Sequence, residues 1–155
     1  MSKTNAVRIL ESLNIPHKTV EYEVDENDLS GSSVAKKINI GEELVYKTLV
    51  TRNDKNEIFV FCIPVSQELN LKKAASASGS KKIEMIHLNE LLPLTGYIRG
   101  GCSPIGMKKN YPVFIEETSQ LFENIYISAG IRGIQIEISP SDLLKIINAG
   151  FADVI

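Results

Sequence analysis

The chain has no tryptophan, two cysteines and two histidines in 155 residues, and only 6% of its positions are aromatic. These scarcities remove several chemistries at once. Cys62 and Cys102 stand forty residues apart, a spacing that suits neither a CxxC redox pair nor a zinc framework, so no metal and no other cofactor is expected. His17 and His87 alone cannot complete a Ser-His-Asp or Cys-His-Asn set, and both read as surface or capping residues. No apolar run approaches the length that spans a bilayer, and Met1-Ser2-Lys3-Thr4-Asn5 lacks the basic-then-apolar layout of a signal peptide. A cytoplasmic chain with no membrane partner is the expectation. Formal net charge is -2, so any contact with a polyanion must come from a local patch rather than from the field of the whole molecule. Walker and dinucleotide-binding fingerprints are also absent, which weighs against a nucleotide-binding regulator.

What is present suits one globular domain over residues 1–155, with 43% hydrophobic content and no repeat or linker to divide it. Val7, Ile9, Leu10 and Leu13 share one side of a helix that starts near Thr4 and stops before Pro16. From His17 to Val24 the period changes to two, with Val20, Tyr22 and Val24 on one face. Val34, Ala35 and Ile38 suggest a second helix. Leu44 to Arg52 and Glu57 to Val65 are β-prone runs around the turn formers Asn53-Asp54-Lys55-Asn56, and so predict a hairpin. In its second arm Ile58 to Ile63 are apolar without alternation, which places that strand centrally, buried on both faces. Beyond it the pattern predicts a helix over Leu69 to Ser78 ended by Gly79. A strand at Ile83 to Ile86 and a helical turn from His87 to Leu92 stopped by Pro93 should follow. Further strands are expected at Tyr97 to Arg99, Val113 to Glu116, Ile125 to Ser128 and Ile134 to Ile138, with a last helix opened by Ser139-Pro140-Ser141-Asp142. The fold class is therefore mixed α/β (α+β), built on one curved sheet.

Three features could carry chemistry. Strand alternation puts Lys47 on the same face as Val45 and Leu49, where an ammonium must reach water, find an anion or lose its proton. Gly100-Gly101-Cys102-Ser103-Pro104-Ile105-Gly106 brings two adjacent glycines to a loop, and these let backbone approach a ligand and turn successive N-H groups into one concavity. A plain turn explains the same residues equally well. Ser128-Ala129-Gly130-Ile131-Arg132-Gly133 repeats that character, and Arg132 adds a fork suited to phosphate. The Lys-Lys pairs Lys72-Lys73, Lys81-Lys82 and Lys108-Lys109 are either a solvated face or a surface for an RNA backbone. Cys102 lies in the glycine-rich loop without a visible base, whereas Cys62 reads as core.

In their order and spacing, Val45-Tyr46-Lys47-Thr48-Leu49, Leu71-Lys72-Lys73, Lys81-Lys82-Ile83-Glu84-Met85, Gly96 to Gly106, Tyr126 to Gly130 and Phe151-Ala152-Asp153 resemble the YbaK/ProX family of trans-editing deacylases. The likeness runs over nearly the whole chain and is strongest toward the Cys-tRNA(Pro) deacylase branch. It implies a barrel-like mixed sheet flanked by helices, and a pocket for the terminal adenosine of a mischarged aminoacyl-tRNA. On this likeness Lys47 orients the ester through the terminal phosphate or ribose, and Gly101 with Gly100, Cys102 and Ser103 receives the carbonyl oxygen. Ser128, Gly130 and Tyr22 surround the substrate, while Lys72, Lys73, Lys81, Lys82 and Arg132 meet tRNA backbone. Gln135 stands where Cys-specific relatives carry an aspartate, so a titrating base is lost there although hydrogen bonding is kept. The implied reaction is substrate-assisted, with the cysteinyl thiol attacking its own ester. The implied partner is the aminoacyl-tRNA acceptor end, with prolyl-tRNA synthetase as a candidate protein partner. Ala-tRNA(Pro) deacylation and a non-catalytic tRNA- or synthetase-binding module stay open as alternatives.

Overall fold

The structure is a computed structural model that describes residues 3–155; Met1 and Ser2, where the signal-peptide reading begins, lie outside the described residues. Helix α1 (Asn5–Ser12) starts where the Thr4 hydroxyl accepts a bond from the Val7 N-H, and it buries Ala6, Val7 and Leu10. Strand β1 (Lys18–Glu21) follows, shorter than the period-two run that announces it, although Val20, Tyr22 and Val24 are half-buried between exposed neighbours. Ser30 caps α2 (Gly31–Ile38), and Asn39 closes it in the left-handed conformation. The predicted hairpin is formed by β2 (Tyr46–Asn53) and β3 (Ile58–Pro64), with the Asn53 side chain accepting from the Lys55 and Glu57 N-H groups across the turn.

The remaining elements are α3 (Leu71–Ala77), β4 (Ile83–Met85), α4 (Leu91–Thr95), β5 (Val113–Glu116), β6 (Ile125–Ser128), β7 (Ile134–Ile138), α5 (Pro140–Ile146) and β8 (Ala149–Ala152). They make a five-stranded sheet in the order β4-β2-β3-β5-β8 and a three-stranded sheet in the order β1-β7-β6. As its unbroken apolar run requires, β3 is the middle strand of the larger sheet, with Val60, Phe61, Cys62 and Ile63 all fully buried. The sheets touch at one parallel bridge, Val45 with Tyr126. Thus the mixed α/β class holds, but the single curved sheet is replaced by two sheets and the barrel is not closed among the described residues.

Other expectations need correction. Pro93 does not stop a helix; it lies inside α4, in the first turn, where a backbone N-H has no intrahelical acceptor and its loss costs little. Tyr97 to Arg99 is not a strand. The Gly101 N-H donates to the Ile98 carbonyl at 3.0 Å, which closes a turn with Gly100 at φ +84°, a conformation that glycine adopts without a Cβ penalty. Strand β8, Ala-Gly-Phe-Ala, has little β propensity and escapes prediction; it forms because β5 offers a parallel edge, with Val113 opposite Ala149 through to Glu116 opposite Ala152. No helix among the described residues is long and apolar enough to cross a membrane.

The main core lies between the two sheets and α1, where Ile125, Ile127 and Ile136 meet Leu10, Val60 and Ile115. A second cluster packs Phe61 and Ile63 under Ala74 of α3, and a third sets Ala35 of α2 on Val45 and Tyr126. Ile127 is wholly buried in the first of these. Ile127→Ala is therefore expected to destabilise the fold by about 2–5 kcal/mol, read from the denaturant midpoint. A loss below about 1 kcal/mol would mean that the two sheets do not share that core.

Candidate functional site

The site forms where β2 runs between the two sheets. β2 pairs with β4 only over Thr51 to Asn53 and meets β6 only at Val45, so no strand covers that edge over Lys47 to Leu49. Strand geometry then determines which side chains gather there. From the parallel bridge, a step of two residues along each strand brings Lys47 level with Ser128 on one face. Ser128 in turn is paired with Gln135 across β6 and β7, so Lys47, Ser128 and Gln135 form a row across the seam.

Two connected hollows occupy this gap. The outer one, about 510 Å³, is lined on its polar side by Ser30, Ser32, Lys47, Arg99 and Gly100, and on its apolar side by Met85, Ile86, Leu88 and Leu91. The inner one, about 120 Å³, lies beneath α2 and is walled by Val34, Val45, Val65, Ser128 and Gln135. Lys47, Thr48, Gly31, Gly100 and Cys102 line both and so mark the neck between them. The amine and the glycine loop, the two features singled out by sequence, therefore face one space. Lys47 is half-buried and has no hydrogen bond or ion pair among the described residues.

Gly101 itself is buried behind the neck and does not line it. A Cβ there would lie 3.2 Å from the backbone of Ile131 and Arg132, so the glycine is required by close packing of two loops. Its N-H is already engaged in the Ile98 turn, whereas the N-H groups of Gly100 and Cys102 have no partner among the described residues. Arg132 supports the same loop: its Nε donates to the Arg99 carbonyl at 2.8 Å, and its guanidinium pairs with Glu26 at 2.7 Å. Its Nε and Nη1 are thus engaged within the protein.

Several other predicted site residues lie elsewhere. The Ser103 side chain is fully buried and accepts from the Ile105 N-H at 3.2 Å, a local turn contact. Gly130 lines a different hollow, against the Tyr97 ring, and Tyr22 lines another shallow one with Asp25 and Lys37. Lys73 is tied to Asp153 at 3.0 Å and to the Ile155 carbonyl at 2.7 Å. Lys81 and Lys82 donate backbone bonds to Asp54 in the hairpin turn. At about 3.3 Å per residue along β2 this lies roughly 20 Å from Lys47, too far to touch the same ribose. Lys72 is exposed on α3, and Lys108 with Lys109 borders a separate hollow near Tyr111.

The inner hollow has an unusual wall. Gln135 is 5% exposed, and its Oε1 has no hydrogen-bond partner. An unpaired buried carboxamide oxygen is costly, and a ligand donor would relieve that cost. Ser128 Oγ accepts from the Gly130 N-H at 3.1 Å. Burial pushes the Cys102 thiol up to about 12, and does the same for Cys62. In the turn before α4 the His87 N-H donates to Glu90 Oε2 at 2.8 Å and the Glu90 N-H to the His87 carbonyl at 3.0 Å, while the His87 side chain is exposed at the cavity. Sequence reasoning missed Arg99, Gly31 and the apolar shelf. Arg99 stood inside a quoted motif but was read as a strand residue, and the run Ser30-Gly31-Ser32-Ser33 was the only small-residue signal for the wall it forms.

Comparison with known proteins identifies the family. Residues 27–146 match the family described as aminoacyl-tRNA editing domain. A protein of Enterococcus faecalis, provisionally named Cys-tRNA(Pro)/Cys-tRNA(Cys) deacylase EbsC, is 49% identical over 152 residues, covering 98% of this chain and 93% of its own length. Two crystal structures share the fold. One is of a hypothetical protein APE2540, with TM-score 0.86, 20% identity and coverage of 96% and 97% of the two chains. The other carries the provisional description of a trans-editing enzyme for prolyl-tRNA synthetase, with TM-score 0.82, 22% identity and coverage of 99% and 98%. The chain belongs to the aminoacyl-tRNA editing domain family, and its class is that of an aminoacyl-tRNA deacylase.

A thiol held at about 12 is almost entirely protonated at pH 8. Iodoacetamide should therefore modify Cys102 in the folded protein at least about 100-fold more slowly than a free cysteine at that pH, as mass spectrometry over time would show. Labelling as fast as that of free cysteine would mean that Cys102 is a reactive thiol at the neck.

Proposed function

We propose that residues 1–155 act as one editing domain that removes the amino acid from mischarged tRNA, with Cys-tRNA(Pro) the favoured substrate. The observation that carries this reading is the place of Lys47, at the neck between a hollow of nucleotide size and one of small side-chain size. An aminoacyl ester has the same two ends. The acceptor terminus enters the outer hollow, the ester lies at the neck, and the acyl side chain points toward Ser128 and Gln135. The inner hollow, about 120 Å³ against about 510 Å³ for the outer one, is the smaller of the two and favours a small acyl side chain such as that of cysteine or alanine.

The chemistry follows from the residues at the neck. Lys47 grips the ribose end and fixes the ester. The N-H groups of Gly100 and Cys102, in place of the engaged Gly101 N-H, meet the oxygen that becomes negative in the transition state. The attacking group comes from the substrate. The cysteinyl sulfur forms a bond to its own carbonyl carbon, the bond from that carbon to the ribose oxygen breaks, and the thiol proton passes to the departing ribose hydroxyl. A thiolactone leaves, and water opens it to free cysteine. Holding thiol and ester in line is worth far more than any single side chain, because it converts chance encounter into a fixed approach. Gln135 orients the acyl group through hydrogen bonds rather than by taking a proton.

The cell compartment on this reading is the cytoplasm. Exposed Lys72, Lys81 and Lys82 would meet acceptor-stem phosphates well away from the ester, and prolyl-tRNA synthetase is the partner that could supply tRNA choice. The decisive experiment is deacylation of Cys-tRNA(Pro), Ala-tRNA(Pro) and Cys-tRNA(Cys) by wild type and Lys47→Ala. Cys-tRNA(Pro) should be cleaved fastest, and the variant should lose about 10²–10³ of the rate while melting within a few degrees of wild type. Faster release of alanine would move the substrate to Ala-tRNA(Pro). Equal rates for both proteins would remove Lys47 from the mechanism, and binding without turnover would make the chain an adaptor.

A further inference from the structure

We infer that Arg99 is the phosphate-binding residue of the outer hollow, and that the aliphatic shelf opposite it holds a nucleobase. The inference rests on the deacylase reading above and deepens it by assigning the two halves of the terminal nucleotide to particular side chains. Arg99 is exposed at the lip of the hollow, and its guanidinium has no hydrogen bond or ion pair among the described residues. Its backbone, by contrast, is held: the Arg132 Nε bonds the Arg99 carbonyl at 2.8 Å, and that arginine is itself paired to Glu26. A free fork on a fixed backbone is suited to grip an anion in two places at once.

The surrounding charge agrees. No aspartate or glutamate is among the residues lining the hollow. Of the nearby carboxylates, Glu90 is paired with Arg52 at 2.7 Å, and Asp28 accepts from the Ser30 hydroxyl at 2.7 Å. Arg99 and Lys47 thus face one space whose lining holds no carboxylate, an arrangement complementary to a phosphate.

Across from them, Met85 is 45% and Leu88 61% exposed, so the shelf leaves large apolar side chains facing solvent. Its one aromatic ring is the exposed imidazole of His87, between Ile86 and Leu88, so a base lying on it is held mainly by aliphatic area. Purines, with more surface, should outbind pyrimidines. This division leaves Lys47, at the neck, for the ribose and ester, and gives the phosphate to Arg99, further out.

The division can be tested without any hydrolysis. Adenosine 5'-monophosphate, adenosine and ribose 5-phosphate are titrated into the full chain by calorimetry or by amide chemical shifts. Wild type should bind the monophosphate at least about tenfold more tightly than adenosine, and more tightly than ribose 5-phosphate. In Arg99→Ala the advantage over adenosine should collapse to about one, with Arg99→Lys restoring part of it. Leu88→Asp should remove the advantage over ribose 5-phosphate. Equal affinity of wild type for the monophosphate and adenosine, or a preference unchanged in Arg99→Ala, would overturn the assignment. Failure of the deacylase reading is seen separately, in the charged-tRNA assay, where wild type would release no amino acid whatever the nucleotide titrations show.

Discussion

The site depends on an interruption in strand pairing. β2 is held by β3 along its length, yet on its other side the chain bridges to β6 only at Val45, just before β2 begins, and β2 pairs with β4 only from Thr51, two residues after Leu49. Between those contacts a length of strand has a free edge inside the molecule instead of at its rim. Free edges in soluble proteins are usually blunted by charge or covered by another element. Here α2 covers one side, the Gly100 loop approaches the other, and Lys47 projects into the space that remains. Because the bridge at Val45 is parallel, its register sets the row of Lys47, Ser128 and Gln135. A slip of one residue in either sheet would turn the whole row away from the cavity.

The glycine loop is built in the same manner, by contacts behind it. Gly101 allows the loop to lie against Ile131 and Arg132, and Gly100 supplies the positive φ that turns the chain. Arg132 then fastens the Arg99 carbonyl. Thus the second glycine-rich segment, which looked like another piece of substrate wall, mostly supports the first. Tyr97 belongs to this frame as well, since its hydroxyl donates to the Ile105 carbonyl and its ring sits beside Gly130. Donors that must meet a developing charge act best when they need not reorganise, and the rigidity of this backing is what a pre-set loop requires.

Sequence patterns disclosed the hairpin, its central strand and the starts of α1 and α5 because each has a local cause: turn formers, apolar periodicity or a side-chain cap. The division into two sheets had no such cause, since it depends on where β6 and β7 swing away from β2. β8 was hidden for a similar reason, as Ala149-Gly150-Phe151-Ala152 owes its conformation to the neighbour it joins. At the site, Lys47 could be found because a cation within an apolar strand departs from its surroundings, and the double glycine could be found because it departs from average composition. Arg99 carries no such mark. An arginine after an isoleucine is ordinary in a strand, and only the turn at Ile98 to Gly101 shows that it stands at the edge of the cavity. The lysine pairs were legible as charge but not as position, because ion pairing such as that of Lys73 with Asp153 joins residues eighty positions apart.

On the proposed reading, selectivity without a protein nucleophile has a simple physical basis. The outer hollow recognises what every charged tRNA shares, so its binding energy is common to all candidates and sorts none of them. The inner hollow must do the sorting. Its small volume favours small side chains, and size alone separates neighbours that differ by one atom only weakly, by about 1–3 kcal/mol per methylene-sized group. Gln135 adds a chemical criterion, because a buried oxygen without a donor costs about 1–3 kcal/mol until something pairs with it. An aspartate at that position would attract a positive charge at any distance within the pocket. A carboxamide answers only to a hydrogen-bond donor within reach. A carboxamide at Gln135 therefore rests discrimination on contact geometry instead of long-range charge, and the remaining chemical choice is made by whether the substrate brings its own nucleophile.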